Sequence, residues 1–481
     1  LIAVPLGAVG AQIFSRFIAE QLNFDLVGFQ LSPRVLLLEV LVGMAAPIIA
    51  ALFPILASAR ITVREAISDV GIAAQEGAGE SRRARLLQRL QARLRLPRPV
   101  RLSLRNTFRR RGRLIRTLIP LMLSGAAFMS VLSVRASLFH TLEETLVSQG
   151  FDVQFVLSRA QRSERIQQEA AGVPGIAALE TWRVREGVPL RPDGSDGDSL
   201  LIYALPAETQ LYEPIMLRGR WLHPDDTHAL VVPVGLLADE PHMDLGRDVT
   251  LQIGAEETEW RVVGVYRTFQ APIAPAVVYV NQPYFWELMG DWGHADTVRI
   301  ITERHDAQTH ARVAAALEER LQAAGIEIQS TRTASEDRAI FTERFNIITV
   351  ILTIMAVLLA TVGSLGLMAT MSINVIERKR EIGVIRAIGA ATQTVLQIFI
   401  VEGVVIGVVS WVGAFILSHP MSRLISWRIG MTLLRWPLSY VYDLRAPLLW
   451  MGIVVAIAAL ASFLPARSAA NLRVRETLAY E

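Results

Sequence analysis

Two stretches of this chain are too long and too free of charge to fold in water. Phe345 to Ile376 carries no acidic or basic side chain, and Ala387 to Ser422 carries one acid, Glu402, and no Arg or Lys. Roughly 20 apolar residues cross the hydrocarbon of a bilayer as a helix. Lipid offers such a run nothing but helix, because every backbone N–H and C=O has to be bonded within the segment. Between the two lies a dense charge cluster, Glu377-Arg378-Lys379-Arg380-Glu381, which continues as Ile382-Gly383-Val384-Ile385-Arg386-Ala387-Ile388-Gly389-Ala390. Two spans therefore hold a short charged segment at the membrane surface.

The same criterion draws spans over Val35–Ala57, Leu114–Val134, Phe345–Ile373, Thr392–Leu417 and Ala446–Ala466, with a clipped span from Leu1 to about Phe14. Hydrophobic residues make up 52% of the 481, which fits a polytopic membrane protein. Charge divides sharply along the chain. Arg60 to Arg116 holds 16 arginines against four acids, whereas Arg135 to Arg344 holds 19 arginines against 32 acids. Basic segments beside spans mark the cytoplasmic side, and long domains cross largely regardless of charge. The basic linker is thus expected inside and the acidic block outside. The outer loop His419–Arg445, with Arg423, Arg428, Arg435 and Arg445 against Asp443, runs against that bias.

The chain also repeats itself. Shifted by 411 residues, its start overlays its end without a gap. Pro54 falls on Pro465, Ala59 on Ala470, Val63-Arg64-Glu65 on Val474-Arg475-Glu476, and Arg34 on Arg445. The first 70 or so residues read as the end of one half, and Leu86 onward as a second half. With no initiator Met and an apolar start, the chain reads as a fragment truncated at its amino terminus.

The acidic block reads as mixed α and β. Strand-like runs are 152–156, 200–203, 249–253, 260–265, 277–280 and 297–300; Val313, Leu317 and Leu321 recur at helical spacing, and Arg191–Asp198 is a turn-rich loop. The fold class is therefore an α-helical polytopic membrane protein with an inserted α+β extracytoplasmic domain.

Little here points to chemistry. A P-loop needs a lysine in a glycine-rich turn; the chain has one lysine, Lys379, flanked by arginines. Leu123-Ser124-Gly125, a faint match to an ABC signature motif, lies inside a span. With no cysteine, thiol chemistry and Cys-based metal sites are excluded. His223 and His228, and His305 and His310, are five apart, not the four of a zinc helix, and all read as surface residues; no metal site and no catalytic residue is assigned. Glu39 and Glu402 are acids within spans, where function is the default expectation. Too isolated for a proton relay, they either pair within the bundle or reach the interface. Gly403 and Gly407, followed by Ser410 and Ala414, form a small-residue face for close helix approach, within the chain or between two copies.

The Glu377–Ala390 run resembles the coupling-helix signature of the FtsX/MacB family of ABC transporter permeases, in which a Glu-Arg-x-Arg-Glu-Ile-Gly core leads into a Gly-Ala pair. Gly219-Arg220, the Gly-x-Asp-Val of 246–249 and the Val-Val-Gly-Val of 262–265 are similar, in order, to the MacB-type core domain. The resemblance implies a division into 1–70, the last two helices of a first FtsX-like half; 71–113, a basic cytoplasmic linker; 114–134, a span; 135–340, an extracytoplasmic MacB-like core domain; and 341–481, an FtsX-like three-helix domain with coupling helix 376–391. By the same resemblance Glu377, Arg378, Arg380, Glu381, Gly383, Arg386 and Gly389 carry the coupling role, with Glu402 in the following span. The implied partners are cytoplasmic ABC ATPase subunits, which would hold the ATP and Mg while this chain binds no cofactor. Membrane lipid and an envelope protein or lipoprotein are expected as further partners, and nucleic acid is not. The implied function, at the bacterial inner membrane, is transmission of force to the outer domain for efflux or extraction of a lipoprotein, peptide or hydrophobic molecule. The alternative is a non-transporting signalling protein that activates an envelope hydrolase.

Overall fold

The computed structural model describes residues 3–22, 33–59, 111–268, 274–378, 382–384 and 387–470. Most of the basic linker and the Val-Arg-Glu tails of the repeat lie outside them. The chain forms two units, 1–101 and 102–481.

The first unit contains helices α1 (Ala3–Leu22) and α2 (Pro33–Ala59). Helix α1 continues past the Phe14 expected from hydropathy. Among the described residues the second unit contains four helices long and apolar enough to cross a membrane. These are α3 (Arg111–Gln149), α7 (Ala334–Glu377), α8 (Thr392–Leu433) and α9 (Arg445–Ala470). The 411-residue repeat is visible in their ends. Leu22 maps onto Leu433, where α8 stops, and Ala59 onto Ala470, where α9 stops.

Three of these helices outrun the spans read from hydropathy. At 1.5 Å per residue, the 39, 44 and 42 residues of α3, α7 and α8 extend for about 58, 66 and 63 Å, twice a hydrocarbon core of about 30 Å. Hydropathy marks only the lipid-facing part of a rod; the polar extension 135–149 remains helical. The inserted domain accordingly begins after Gln149 and ends at Thr333, not at 135 and 340.

That domain is built on a ten-stranded sheet of order β10-β1-β9-β2-β3-β8-β5-β7-β4, with β6 paired to β2 and β7. Its strands are β1 (Val153–Arg162), β2 (Ile176–Leu190), β3 (Leu200–Leu205), β4 (Ile215–Gly219), β5 (Ala229–Pro233), β6 (Asp248–Ile253), β7 (Glu256–Arg267), β8 (Ala276–Asn281), β9 (His294–Thr302) and β10 (Ile328–Thr333). The helices are α4 (Ser163–Ala170), α5 (Gln282–Met289) and α6 (Ala307–Ala323). One core packs Val153, Phe155, Ile166, Val298, Leu317 and Leu321 under α6; another packs Leu200, Ile202, Leu230, Val232, Trp260 and Phe285. Between them Arg299 is buried, its guanidinium 3.8 Å from the Trp182 ring centre and 4.5 Å from that of Phe151. Burial pulls its pKa below the ordinary arginine value.

Strands β2, β4, β5 and β10 are absent from the sequence reading. In β2 the pattern is obscured by Arg183, an arginine in a buried position, which the structure pairs with Asp291 and Asp296.

The domain joins its rods almost without linkers. Helix α3 ends at Gly150, whose φ of +61° is left-handed and whose α-hydrogen faces the Leu211 carbonyl, where a Cβ would lie 2.8 Å from the oxygen. Strand β10 passes directly into α7 through a capping box: Glu336 N donates to Thr333 Oγ1 (3.2 Å) and Thr333 N to the Glu336 carboxylate (3.1 Å).

Candidate functional site

The charged turn at the inner end of α7 and α8 is assembled by packing against the spans. Helix α7 closes at Arg378, whose N–H reaches the Asn374 carbonyl (3.2 Å). Ile382 N bonds Arg378 O (2.9 Å) and Ile388 N bonds Val384 O (3.1 Å), so the segment keeps helical pairing. Gly389, at φ +102°, ends it in a conformation few side chains tolerate, and Ala391 is the N-cap of α8.

Of the isoleucines spaced by three, Ile382 and Ile388 do not share one face, and Ile385 lies outside the described residues. Ile382 is buried with Val375, Val395, Phe399 and Ala466, whereas Ile388 is 82% exposed. Six residues turn a helix by about 600°, leaving the ends of the series about 120° apart. Ile382 thus anchors the turn to the spans, while Val384, Ala387 and Ile388 face outward together with Glu377. Gly383 is buried. Arg380, Glu381 and Arg386 lie outside the described residues.

Arg378 and Glu402 are brought together. Glu402 sits ten residues into α8, about 15 Å along its axis, and is 2% exposed. Arg378 Nη1 donates to Glu402 Oε2 at 3.2 Å, and Asn374 Nδ2 to Oε1 at 3.4 Å. The acid is therefore paired within the bundle, and Arg378 is committed inward. Glu39 belongs to α2, and its side chain lies outside the described residues.

Gly403 and Gly407 face α9. A Cβ on Gly403 would lie 1.9 Å from Ser462 Oγ and 3.1 Å from Ala458 O; one on Gly407 would lie 3.0 Å from Ala458 Cβ. The buried small-residue face continues through Ser410, Ala414, Ser418, Ser422, Ser426 and Gly430.

The outer half of that face meets a feature sequence reasoning missed. The loop read as His419–Arg445 is still helix to Leu433, and residues 439–443 lie extended between α3 and α8. The N–H groups of Ser439, Val441 and Asp443 donate to Thr141 Oγ1 (3.0 Å), Ser137 Oγ (3.0 Å) and Ser133 Oγ (3.3 Å). The hydroxyls of the alternate residues Tyr440 and Tyr442 pair with Ser422 and Ser418 of α8, each at 2.7 Å. The fit follows from two periods: four helical residues rise about 6 Å and two extended residues about 6.6 Å. The signal was in the sequence as Ser133, Ser137, Thr141 and Thr145, spaced by four.

Above this strip the rods grip the sheet domain. Glu144 of α3 accepts from Arg267 Nη2 of β7 and from Ser439 Oγ, both at 2.5 Å, and Arg267 Nη1 reaches Ser439 Oγ at 3.1 Å. Arg435 pairs with Asp239 of the domain, and Arg338 of α7 with Glu143 of α3. The basic outer loop thus meets the acidic domain, which accounts for one of the arginines on the side where positive charge was unexpected. Within the domain, the Arg191 guanidinium bonded to Glu240 holds that buried carboxyl below its ordinary value and fixes the turn-rich loop to the body.

Among the histidines, His310 is buried instead of surface-exposed, and with His305 it converges on Asp152.

Residues 353–474 match the family described as FtsX-like permease C-terminal. The chain is 22% identical over 394 residues to the uncharacterized ABC transporter permease MJ1507 of Methanocaldococcus jannaschii, covering 78% of this chain and 96% of that protein. It is 37% identical over 130 residues to the macrolide export ATP-binding/permease protein MacB of Photorhabdus laumondii, covering 27% of this chain and 19% of that one. The aligned stretch is the permease part of that fusion. The extracellular domain of the noncanonic ABC-type transporter YknZ from Gram-positive bacteria matches 38% of this chain and 98% of its own length at 14% identity and a TM-score of 0.28. The periplasmic region of MacB from Actinobacillus actinomycetemcomitans matches 42% and 97% at 12% identity and 0.30.

Proposed function

We propose that this chain, a multi-pass ABC transporter permease of the FtsX-like family, works as a mechanical transmission: a cytoplasmic ATPase moves the Glu377–Ala390 turn, and the rods carry that motion to the sheet domain. The supporting observation is continuity. One 44-residue helix, α7, runs from the capping box at the base of the sheet to Glu377 at the inner turn. A hydrogen-bonded helix of that length, about 66 Å, passes displacement at one end to the other.

The docking face is the outward side of the turn. Val384 and Ile388 supply exposed apolar area and Glu377 supplies charge, a mixture suited to a specific protein groove. Arg380, Glu381 and Arg386 add further charge by sequence. Arg378 and Glu402 fix the turn to the spans, so their part is to stiffen the lever. ATP is bound with Mg and hydrolysed on the partner. The cargo we favour is a lipoprotein, peptide or hydrophobic molecule handled on the outer face; in support, Ser133, Ser137, Thr141, Ser418 and Ser422, buried along α3 and α8, are engaged by the strip 439–443.

The test is co-expression with the ATP-binding cassette subunit. Val384→Glu with Ile388→Glu is expected to lose the ATPase on purification while the permease keeps its elution volume and melting midpoint. Full co-purification of the doubly substituted chain refutes the docking face. If an ATP-dependent catch by the sheet domain yields a cell-wall hydrolase and no cargo, signalling replaces export.

A further inference from the structure

A cluster of metal-ligating side chains stands at the base of the sheet domain, where both rods enter it, and the proposed function leaves it unused. Asp152, two residues beyond Gly150, immediately precedes β1; His305 follows β9, and His310 lies in the first turn of α6. Asp152 O also accepts the N–H of Ala334, the first residue of α7 (2.8 Å). The cluster touches the ends of both membrane rods.

Its polar geometry is incompletely satisfied. Asp152 Oδ2 is held by Thr302 N (2.7 Å) and Thr302 Oγ1 (2.8 Å). His305 Nδ1 lies 3.0 Å from Oδ1 and 2.9 Å from Oδ2. His310 Nε2 lies 3.2 Å from Oδ1, yet this buried nitrogen, on a residue 4% exposed, makes no hydrogen bond. The other nitrogen, Nδ1, faces Ser335 Oγ at 3.3 Å. If Nδ1–H donates to that hydroxyl, Nε2 turns a lone pair toward a carboxylate oxygen. Two acceptors facing each other in a buried site repel, and a cation between them removes the conflict. An imidazole tied at its second nitrogen is the usual arrangement of a metal-binding histidine.

We propose that Asp152, His305 and His310 form a binding site for a divalent transition-metal ion of the zinc class. The three ligand atoms lie within 4.8 Å of one another. Zinc–ligand distances near 2.0–2.1 Å in a tetrahedron place neighbouring ligand atoms about 3.3 Å apart, close to the 3.0 and 3.2 Å already present between Asp152 Oδ1 and the two histidine nitrogens. Two imidazoles and one carboxylate suit zinc over calcium or magnesium, which take oxygen ligands. The His305 side chain is 70% exposed and gives the ion a way in. A fourth position stays open for water. The bound ion ties β1, the β9–α6 connection and α6 together and, through Ser335, reaches the first turn of α7. It locks the base of the sheet to the rods.

The test uses the full chain in detergent, freed of any histidine tag and stripped with chelator, then titrated with Zn²⁺ and with Co²⁺ as a spectroscopic probe. The wild type is expected to bind one equivalent more zinc than His310→Gln, to show the visible absorption of four-coordinate cobalt, and to melt higher with zinc than without. His310→Gln and His305→Gln should each lose affinity by about tenfold or more, as loss of even a ligand's outer partner does, together with the zinc-dependent rise in melting. His305 is exposed, so its variant keeps the fold and the test stands even if His310→Gln does not fold. Equal zinc affinity in the wild type and His305→Gln overturns the site, as does a wild type whose melting ignores zinc.

Discussion

The Arg378–Glu402 pair gives the sharpest test of how the inner turn is held. At 3.2 Å, two unit charges in a medium of effective dielectric 20 attract by about 5 kcal/mol. Stripping water from the two ions costs several kcal/mol each, so the net contribution is near zero. The two halves are not equivalent. Glu402 is 2% exposed and cannot leave, whereas the Arg378 side chain is 21% exposed at a helix end and can swing to headgroups and water. Arg378→Met therefore removes a cation from a buried carboxylate that keeps the Asn374 bond, and should cost up to about 3–5 kcal/mol. Glu402→Gln lets the arginine retreat and should cost about 1–2 kcal/mol, near the lower end of leaving a buried partner unsatisfied. Arg378→Met with Glu402→Leu removes both charges and should melt close to the wild type. The assay is the apparent melting midpoint in one fixed detergent, followed by tryptophan fluorescence. Equal losses for the two single variants, with a double variant at their sum, would refute the pairing.

Two further outcomes follow from packing. Gly403→Leu, which drives a side chain into Ser462 and Ala458, should lower the midpoint by the roughly 1–3 kcal/mol of overpacking; Gly452→Leu, on α9 with nothing within 4 Å of its Cβ position, should leave it unchanged, and equal losses at both sites would discredit the close α8–α9 contact. Ser137→Ala with Thr141→Val removes the acceptors of Val441 and Ser439, stranding two backbone donors at about 1–3 kcal/mol each; amide exchange in 439–443 should accelerate while the spans stay protected, and unchanged exchange would show that the hydroxyl ladder does not hold the strip.

The spans were legible because lipid imposes one structural solution on an uncharged run. The α6 helix and six strands were legible because apolar periodicity was intact there. What escaped reading has a common cause: the determinant was a partner distant in sequence. Strand β2 hides behind Arg183, which is apolar in position but not in type, and only Asp291 and Asp296 make its burial tolerable. Residues 439–443 join no sheet because their neighbour is a helix, and hydroxyls spaced by four substitute for a second strand. The histidines look isolated at spacing five because their third member, Asp152, lies over 150 residues earlier. In the Glu377–Ala390 turn isoleucines recur every three residues, and helical geometry separates an anchor at Ile382 from an exposed end at Ile388. Glu402 could be flagged from sequence as an intramembrane acid, but its choice of Arg378 depended on how α7 and α8 pack.

The seams between the rods differ in kind, and this bears on where displacement is least costly. The α3–α8 seam holds the strip 439–443 through bonds from both sides, and Glu144 ties the same strip to Arg267 of the sheet. Sliding α3 against α8 would strand several buried donors at once. The α3–α7 seam is mainly apolar: Phe139 meets Phe345 edge-on at 6.0 Å, and Val134, Leu138 and Leu142 pack in the same cluster. Among the described residues its polar ties include the Ser124 hydroxyl to Leu359 O (2.8 Å) and the exposed Arg338–Glu143 pair, of a type contributing about 0–1 kcal/mol. Apolar contacts are non-directional and can be exchanged for similar ones after a shift of one helical turn, whereas the ladder of hydroxyls has one register. Of the two rods joined to the sheet, α7 thus meets α3 across the seam of lower polar cost, while its far end stays tied to α8 through Arg378 and Glu402. It is also the rod that begins at the last strand without an intervening loop, so under the proposed transmission a displacement of α7 would reach β10 directly.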